Sequence, residues 1–348
     1  MRFVSPLVAA ALTFAAGLVL FSALGRDPLA AFHAFFVQPI DDWNGVAELA
    51  LKAAPLMLCA IGLAIGFRAG VWNIGAEGQL AVGAIAAGWL AVGFHGAGSA
   101  LLLPAMVAAG ALGGMAWAAI PAFLKTRFNA NEILTSLMLV YVAALLLSWV
   151  VHGPLRDPQG FNFPQSKEFH DAALYPLLLE GTRLNAGVFV AAAVVAAGWW
   201  FMERSFGGYT MRVAGLADAA ARYAGFSARR TVWVGMLAGG AAAGLAGVGE
   251  VAGPIGQLLP SVSPGYGFAA IIVAFVGRLH AGGIVLASLL MSLLYLGGES
   301  AQMTLDLPSA ITGLFQGMLL FFLLAADVFI SYRLRIAAPA RAPREAAA

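Results

Sequence analysis

The sequence predicts an all-α fold, a polytopic bundle of transmembrane helices with about ten spans. Of its 348 residues, 61% are hydrophobic and 10% are charged, whereas charged residues make up about 25% of an average soluble chain. Apolar stretches of roughly twenty residues recur along the sequence, and each is long enough to cross a hydrocarbon core about 30 Å thick. A soluble protein would need polar helix faces, which most of these segments lack.

Length and apolarity predict where the individual spans lie. Met1-Arg2 followed by the apolar residues 3–24 resembles a secretory signal peptide. This run exceeds the roughly 7–15 residues usual for the apolar part of such a signal, so we predict a retained first helix. The run 266–277 is short for a full crossing, so a re-entrant segment is also compatible with it. The predicted spans are 3–25, 47–67, 76–94, 100–124, 133–151, 186–202, 231–252, 266–277, 281–297 and 309–330.

Basic residues predict the orientation, because cytoplasmic loops carry an excess of Lys and Arg. Residues 203–230 form a basic loop, and a second basic group follows residue 331. We therefore expect both termini and 203–230 in the cytoplasm and 152–185 as a periplasmic loop, in a multi-pass protein of the cell inner (plasma) membrane. Residues 1–335 read as one transmembrane domain, and 336–348 as a disordered cytoplasmic tail.

The composition also argues against several classes of function. A net charge of +2 is too small to suggest a nucleic-acid partner, and the lipid bilayer is the expected environment. The single cysteine, Cys59, allows neither an internal disulfide nor a thiolate metal site. The five histidines are scattered without metal-ligand spacing. The sequence therefore predicts no metal site.

The stretch GVWNIGAEGQLAVG at 70–83 interrupts two apolar runs with Asn73, Glu77, Gln79 and four glycines. One interpretation is a cytoplasmic turn with a capping Asn and a glutamate in the first helical turn. The other is a helix broken near 68–80 at membrane depth, which is tolerated where protein buries the backbone or a cavity lies beside it. In transporters such breaks bind the substrate.

Two further stretches contain charges of interest. The loop 203–230 reads as a short basic helix in which Asp218 and Arg222 form an i, i+4 pair, and Gly225 is suited to end it. This loop is either a solvated connection or a docking element. Glu250 lies within the apolar run 231–252, so we expect it to be paired, neutralised or facing a cavity.

Seven motifs, in order along most of the chain, carry a family resemblance. They are NIGAEGQ at 73–79, NEILTSLML at 131–139, HGPLRDP at 152–158, MRVAGLADAAARYAGFS at 211–227, AGLAGVGEVAG at 243–253, GYGFAAIIVAFVGR at 265–278 and LFQGMLLFF at 314–322. Together they resemble permease subunits of ATP-binding-cassette (ABC) importers, in the branched-chain amino acid and simple-sugar permease family, and within it most closely the nucleoside-uptake branch.

The resemblance implies a membrane pathway for a nucleoside-like or simple-sugar solute and an external motor. A partner ATPase would bind ATP and Mg, and this chain would need no cofactor; its one Lys–Ser/Thr pair, Lys125-Thr126, follows Leu124 rather than the glycine of a P-loop. The other implied partners are a second, homologous permease in a heterodimer and a substrate-binding lipoprotein or periplasmic protein, for which 152–185 is a plausible dock.

The resemblance also carries over residue by residue. It implies a coupling helix within 211–227 that docks on the ATPase, with the matching residues Arg212, Gly215, Asp218, Ala221, Arg222 and Gly225. The residues predicted along the substrate pathway are Asn73, Glu77, Gln79 and Glu250. The alternative function is an ion-coupled secondary transporter with Glu77 and Glu250 as relay carboxylates, which would have no need for the coupling helix. An intramembrane enzyme lacks a catalytic constellation.

Four positions depart from the family pattern. Val140 stands where relatives often have Asn, Trp72 stands where Phe is usual, and Ala269 and Ala270 stand where an acidic residue is common. Because most of these changes remove polar groups, they affect the identity of the solute more than the class of transporter.

Overall fold

The computed structural model describes residues 4–96 and 98–331, and of Val4, Asp218 and 327–331 it describes only the main chain. The predicted tail at 336–348 lies outside the described residues. In these residues the chain forms thirteen α-helices and no β-strand. The helices are α1 Val4–Ala23, α2 Pro28–Phe32, α3 Trp43–Arg68, α4 Ala76–Gly93, α5 Leu102–Phe128, α6 Glu132–His152, α7 Gly187–Arg204, α8 Phe206–Leu216, α9 Asp218–Tyr223, α10 Ala228–Glu250, α11 Tyr266–Val276, α12 Ala281–Leu305 and α13 Ala310–Ser331.

The prediction of a polytopic helical bundle is confirmed. Within the described residues, eight helices are long and apolar enough to cross a membrane: α1, α3, α4, α5, α6, α7, α10 (continuing to Ile255) and α12. Three further apolar helical segments are shorter, at 28–40, 266–276 and 310–326. Each predicted span thus coincides with a helix, but α11 has only 11 residues, or about 16 Å, roughly half a crossing. The segment 28–40 was not predicted, because its apolar run is short and is bounded by Asp27 and Pro28 on one side and Pro39 and Asp41 on the other.

Helix α10 is at the centre of the bundle, packed against α3, α4 and α5. Glycines line these contacts: a Cβ on Gly114 would overlap the carbonyl oxygen of Gly240, and one on Gly83 would overlap Gly244. Because helices in lipid gain little from the hydrophobic effect, close backbone approach between small residues is a main source of their association. The many glycines therefore allow the helices of the bundle to pack backbone against backbone.

Two helices begin part-way through the bundle. Helix α3 ends at Arg68, the irregular segment 69–75 turns back into the interior, and α4 starts at Ala76. Asn73 lies against Gly239, the twelfth of the 23 residues of α10, or about 16 Å from the start of that helix. The break predicted near 68–80 is therefore inside the protein and not a turn at the surface of the bundle.

The second helix that begins part-way through the bundle, α11, follows α10 through the linker 251–265. Because both start inside the bundle, α4 and α11 are called half-helices here, although only α11 is about half a crossing long. Helices α3 and α10 are antiparallel, since Gly62 lies beside Ala242 and Gly66 beside Gly235. The half-helices that follow them are opposed as well, α4 leading to the end of the bundle that carries residues 153–186 and α11 to the end that carries α8 and α9. The units α3–α4 and α10–α11 thus form an inverted pair, an arrangement typical of transporters with a site near the membrane centre.

The predicted coupling helix is two short helices, α8 and α9, separated at Ala217. Gly225 follows α9 with φ of +82°. Its N–H donates to the carbonyl of Arg222, and the N–H of Phe226 donates to the carbonyl of Ala221. These two bonds are the Schellman pattern, in which glycine is favoured because the left-handed conformation strains other residues. The prediction that Gly225 ends a helix is confirmed.

The loop 153–186, between α6 and α7, is bonded to the linker that precedes α11. The backbone N–H groups of Ser166, Phe169 and Tyr175 donate to the carbonyls of Leu258, Gly256 and Ala252, respectively. The N–H of Leu258 in turn donates to the hydroxyl of Ser166 at 2.9 Å. This loop is therefore an ordered cover over the linker.

Candidate transport site at the meeting point of two half-helices

The Glu77 carboxylate lies where the N-terminal ends of α4 and α11 meet. Glu77 is in the first turn of α4, and its Oε2 accepts a hydrogen bond of 2.6 Å from the N–H of Gly267, in the first turn of α11. The hydroxyl of Ser263 and the N–H of Gly265 also bond to this carboxylate. Because unpaired N–H groups give a helix N-terminus a partial positive charge, one carboxylate stabilises both helix ends.

The two half-helices begin with the same local geometry. Asn73 Oδ1 accepts the N–H of Gly75 at 3.0 Å, and Ser263 Oγ accepts the N–H of Gly265 at 3.1 Å. In both cases a short polar side chain bonds two residues ahead to the glycine that caps the following helix. Gly265 has φ of +99°, which explains glycine there. The capping interpretation of the break and the membrane-depth interpretation are therefore compatible.

Asn73 and Gln79 form a buried amide pair. Each is 1% exposed. Asn73 Nδ2 donates to Gln79 Oε1 at 2.9 Å, and Gln79 Nε2 donates back to Asn73 Oδ1 at 3.0 Å. Removing one partner would leave the other buried and unpaired, at a cost of about 1–3 kcal/mol. Direct contact of these two side chains with solute stays a prediction, and the geometry favours a role in holding the break.

A cleft opens beside Glu77, between α4, α6 and the linker before α11. Its polar groups are the Glu77 carboxylate and the serines at 261 and 263, and the remaining wall is apolar. A mainly apolar cleft with a few convergent polar groups is typical of small-molecule sites. The lining residues are Glu77, Leu80, Ala81, Val140, Ala144, Leu147, Pro260, Ser261, Val262 and Ser263.

The departures from the family pattern have distinct locations. Val140 lines the α6 wall of the cleft and makes it apolar. Ala269 and Ala270 are buried in α11, with 3% and 0% exposure, so neither supplies a polar group. Trp72 stacks on Phe275 of α11, with ring centroids 5.8 Å apart and an interplanar angle of 21°.

Glu250 lies in a different place from the other predicted pathway residues. It is 9% exposed and borders a second, narrow cavity between α3, α7 and α10. The outer-loop residue Tyr175, whose pKa burial raises to about 12, lines the same cavity. The two cavities have no lining residue in common. The structure thus brings Asn73, Glu77 and Gln79 together at the start of α4 and places Glu250 beside a different cavity. The assignment of all four residues to the substrate pathway stays a prediction.

Comparison with known proteins gives the family of the chain. The family model for the permease component of branched-chain amino acid transport systems matches residues 45–324, which is most of the chain. The chain belongs to this permease family.

Curated relatives of the permease extend over nearly its whole length. A glucose ABC transporter permease of Haloferax volcanii is 38% identical over 96% of this chain and 90% of its own. A guanosine ABC transporter permease of Bacillus subtilis is 32% identical over 91% of each chain, and a nucleoside ABC transporter permease of Lactococcus lactis is 28% identical over 91% and 89%. No solved structure matches the chain. The main prediction, an ABC transporter permease subunit, is confirmed, and the relatives give no support to a secondary transporter.

The six predicted coupling residues of the permease differ in their surroundings. Arg212 and Arg222 are exposed, whereas Ala221 is buried. Gly215 packs so closely on the main chain at Arg68 that any side chain there would collide, and Gly225 ends α9. The side chain of Asp218 lies outside the described residues. Their assignment to ATPase docking stays a prediction.

Sequence reasoning missed three residues of the permease site, Ser263, Gly265 and Gly267. Their signal was present, because the polar-x-glycine pattern of NIG at 73–75 recurs as SPG at 263–265. Only the fold brings the second copy next to Glu77, together with Gly267, which is 190 positions from Glu77.

Proposed function

We propose that this chain is the subunit of an ABC importer that forms the membrane pathway for a neutral, hydroxyl-rich solute, either nucleoside-like or a simple sugar. The observation that carries the proposal is the meeting of the α4 and α11 N-termini at Glu77, beside a cleft with serine hydroxyls. Half-helix ends inside a membrane are the usual elements of a transport site.

The charge balance of the cleft favours a neutral solute. Two helix N-termini alone would favour an anion, since each carries about +0.5 of an elementary charge. The Glu77 carboxylate already occupies the position between them, which offsets that positive potential. Carboxylate and hydroxyl oxygens then remain to accept hydrogen bonds from solute hydroxyls, and the apolar wall at Val140 and Leu147 suits a base or sugar-ring face.

The named relatives agree with this solute class. The three relatives described above are named for glucose, guanosine and nucleosides, all neutral and hydroxyl-bearing molecules. A relay of protons or ions between Glu77 and Glu250 has less support, because these carboxylates border separate cavities and Glu77 is bonded to the start of α11.

The energy source of the proposed importer is a partner ATPase that binds ATP and Mg, as membership of an ABC permease family implies. Its dock is the surface of α8 and α9, which exposes large apolar side chains: Leu216 is 79% exposed and Tyr223 is 96% exposed. Exposed aromatic and apolar residues are typical anchors of a protein interface.

Replacing both anchors, Leu216→Asp with Tyr223→Ala, should weaken capture of the ATPase by about tenfold or more, because each removes a buried apolar contact from the interface. Co-purification of the ATPase with the tagged permease measures the effect. Leu179→Asp, at an exposed leucine of the outer loop, is the matched control and should leave capture unchanged. Equal capture of the ATPase by the wild type, the double variant and the Leu179→Asp control would contradict the proposed docking surface.

The proposed orientation places α8, α9 and both termini in the cytoplasm of a plasma-membrane protein, and the loop 153–186 outside, where a binding protein delivers solute. The charge distribution supports it, since the arginines of 203–230 are those that the positive-inside rule retains in the cytoplasm. Because backbone hydrogen bonds hold this loop on the linker before α11, the loop offers a delivery protein a structured binding surface.

Cysteine labelling tests this orientation in a Cys59→Ala background. Ser166 is fully buried, so exposed positions are needed, and Glu180 and Ala224 meet this requirement. Glu180→Cys should react with a membrane-impermeant thiol reagent in intact cells, whereas Ala224→Cys should react only after permeabilisation. The opposite pattern would reverse the proposed topology.

A second, homologous permease completes the proposed complex, because the cleft needs a protein surface facing it. The cleft at Glu77 lies inside the membrane next to α6, whose outer face exposes Tyr141 and Leu145. Because an ionisable group at this depth needs protein or water rather than lipid around it, the partner permease in a heterodimer is the proposed cover.

A further inference from the structure

Arg68, the last residue of α3, connects three elements at the end of the bundle that carries α8 and α9. Its Nε donates to the carbonyl of Leu279 at 2.9 Å, and its Nη1 donates to the carbonyl of Met202 at 3.4 Å. Its Nη2 forms an ion pair of 2.6 Å with Glu203. The side chain is 16% exposed. A guanidinium is suited to this position because its rigid fork can donate to several acceptors at once.

These contacts connect the coupling region with both half-helices. Met202 and Glu203 are in the last turn of α7, which leads directly into α8. Leu279 lies in the turn that follows α11. Arg68 itself precedes the break 69–75 and therefore α4. One side chain thus contacts the segments next to the coupling helices, α4 and α11.

The main chain around Arg68 adds two more contacts. Gly215, near the end of α8, packs directly on the carbonyl group of Arg68 and on Ala69. On the other side, Phe67 stacks on Phe275 in α11, with ring centroids 5.3 Å apart and planes 18° apart. Packed interfaces of this kind shift as units rather than deform continuously. A displacement of α8 would therefore be transmitted to the ends of both half-helices.

We propose that Arg68 is a positioning residue that transmits movement of the α8–α9 pair to α4 and α11, and so to the cleft at Glu77. This inference rests on the proposed function, because it requires an ATPase that moves α8 and α9. The carbonyl bonds are the essential contacts and the ion pair with Glu203 is secondary, since only the bond to Leu279 reaches the α11 side.

The test uses the complete complex with ATPase, second permease and binding protein, reconstituted in lipid. Arg68→Gln should leave the assembly of the complex and its basal ATP hydrolysis unchanged. The stimulation of ATP hydrolysis by solute-loaded binding protein should fall about tenfold, which is within the usual range of coupling between sites. Arg68→Lys should behave similarly because an ammonium lacks the fork. Two control variants should keep full stimulation of ATP hydrolysis. Glu203→Gln leaves both bonds from Arg68 to carbonyl groups in place, and Lys125→Gln removes a different ion pair, the one with Glu132.

A second readout separates transmission from simple structural damage. Ala81 lines the cleft, so Ala81→Cys in a Cys59→Ala background should change its thiol reactivity when ATP binds. Combined with Arg68→Gln, that nucleotide-dependent change should disappear. Normal stimulation and a normal reactivity change in the Arg68 variants would overturn the inference, as would loss of assembly in both. Absence of stimulation in the unaltered complex would instead refute the proposed function.

Discussion

Glu77→Ala should reduce solute transport by about 10–100-fold, the range that corresponds to losing a hydrogen bond to a charged group, about 1.5–3 kcal/mol. The substitution removes the acceptor of the Gly267 N–H and leaves two helix N-termini facing each other without a counter-charge. Backbone groups inside the membrane have no water to replace the lost partner. Uptake of labelled nucleosides and glucose into proteoliposomes containing the complete complex measures the effect.

Two further variants separate the causes of that loss. Glu77→Gln keeps an oxygen near the Gly267 N–H but removes the charge, so transport between the levels of wild type and Glu77→Ala is expected if the charge contributes. Glu132→Ala is the control, because it removes a carboxylate that lies outside the cleft, near the start of α6, where it pairs with Lys125. This variant should transport like the wild type. Wild-type transport by Glu77→Ala would show that the site lies elsewhere, with the Glu250 cavity as the next position to examine.

Gly267→Ala should produce a loss of similar size through a steric effect. A Cβ on Gly267 would overlap main-chain atoms of Ala76 and Glu77, and a helix backbone cannot turn aside as a flexible side chain can. Overpacking of this kind costs about 1–3 kcal/mol, and here it would force the starts of α4 and α11 apart. The measurement is again solute uptake, together with the amount of assembled complex recovered from the membrane.

Gly313→Ala provides the matched control for this substitution. Gly313 is also a glycine within a helix, on α13, but a Cβ there would meet no atom within 4 Å. Its replacement should leave uptake and recovery unchanged, and alanine is also the better helix former. Equal behaviour of the two variants would mean that the contact between α4 and α11 is not essential for transport.

Local patterns predicted several features that the fold retains. Each predicted span coincides with a helix, because every crossing must satisfy its own backbone hydrogen bonds within an apolar segment. Gly225 ends α9 as expected, since the left-handed conformation is a property of the local backbone. The break at 70–83 was visible for the same reason: polar residues and glycines are conspicuous between apolar runs.

The charged and amide residues show where local patterns were insufficient. Asn73, Glu77 and Gln79 are close in sequence and were predicted as one group. Their partners decide what they do: the two amides bond to each other, whereas Glu77 bonds to α11. Glu250 was assigned to the same pathway on its burial in an apolar run, but burial alone does not specify which cavity a side chain borders.

The sequence by itself determined that this protein is a helical membrane permease, because apolar length, glycine content and motif order are properties of the chain. Only the tertiary structure decided that Glu77 meets Gly267, that Glu250 borders a different cavity, and that Arg68 joins α7, α3 and the turn after α11. The physical reason is that these contacts join residues up to 211 positions apart. Helix periodicity fixes neighbours three or four positions away, whereas the packing of glycine-lined helices in the bundle fixes such distant pairs.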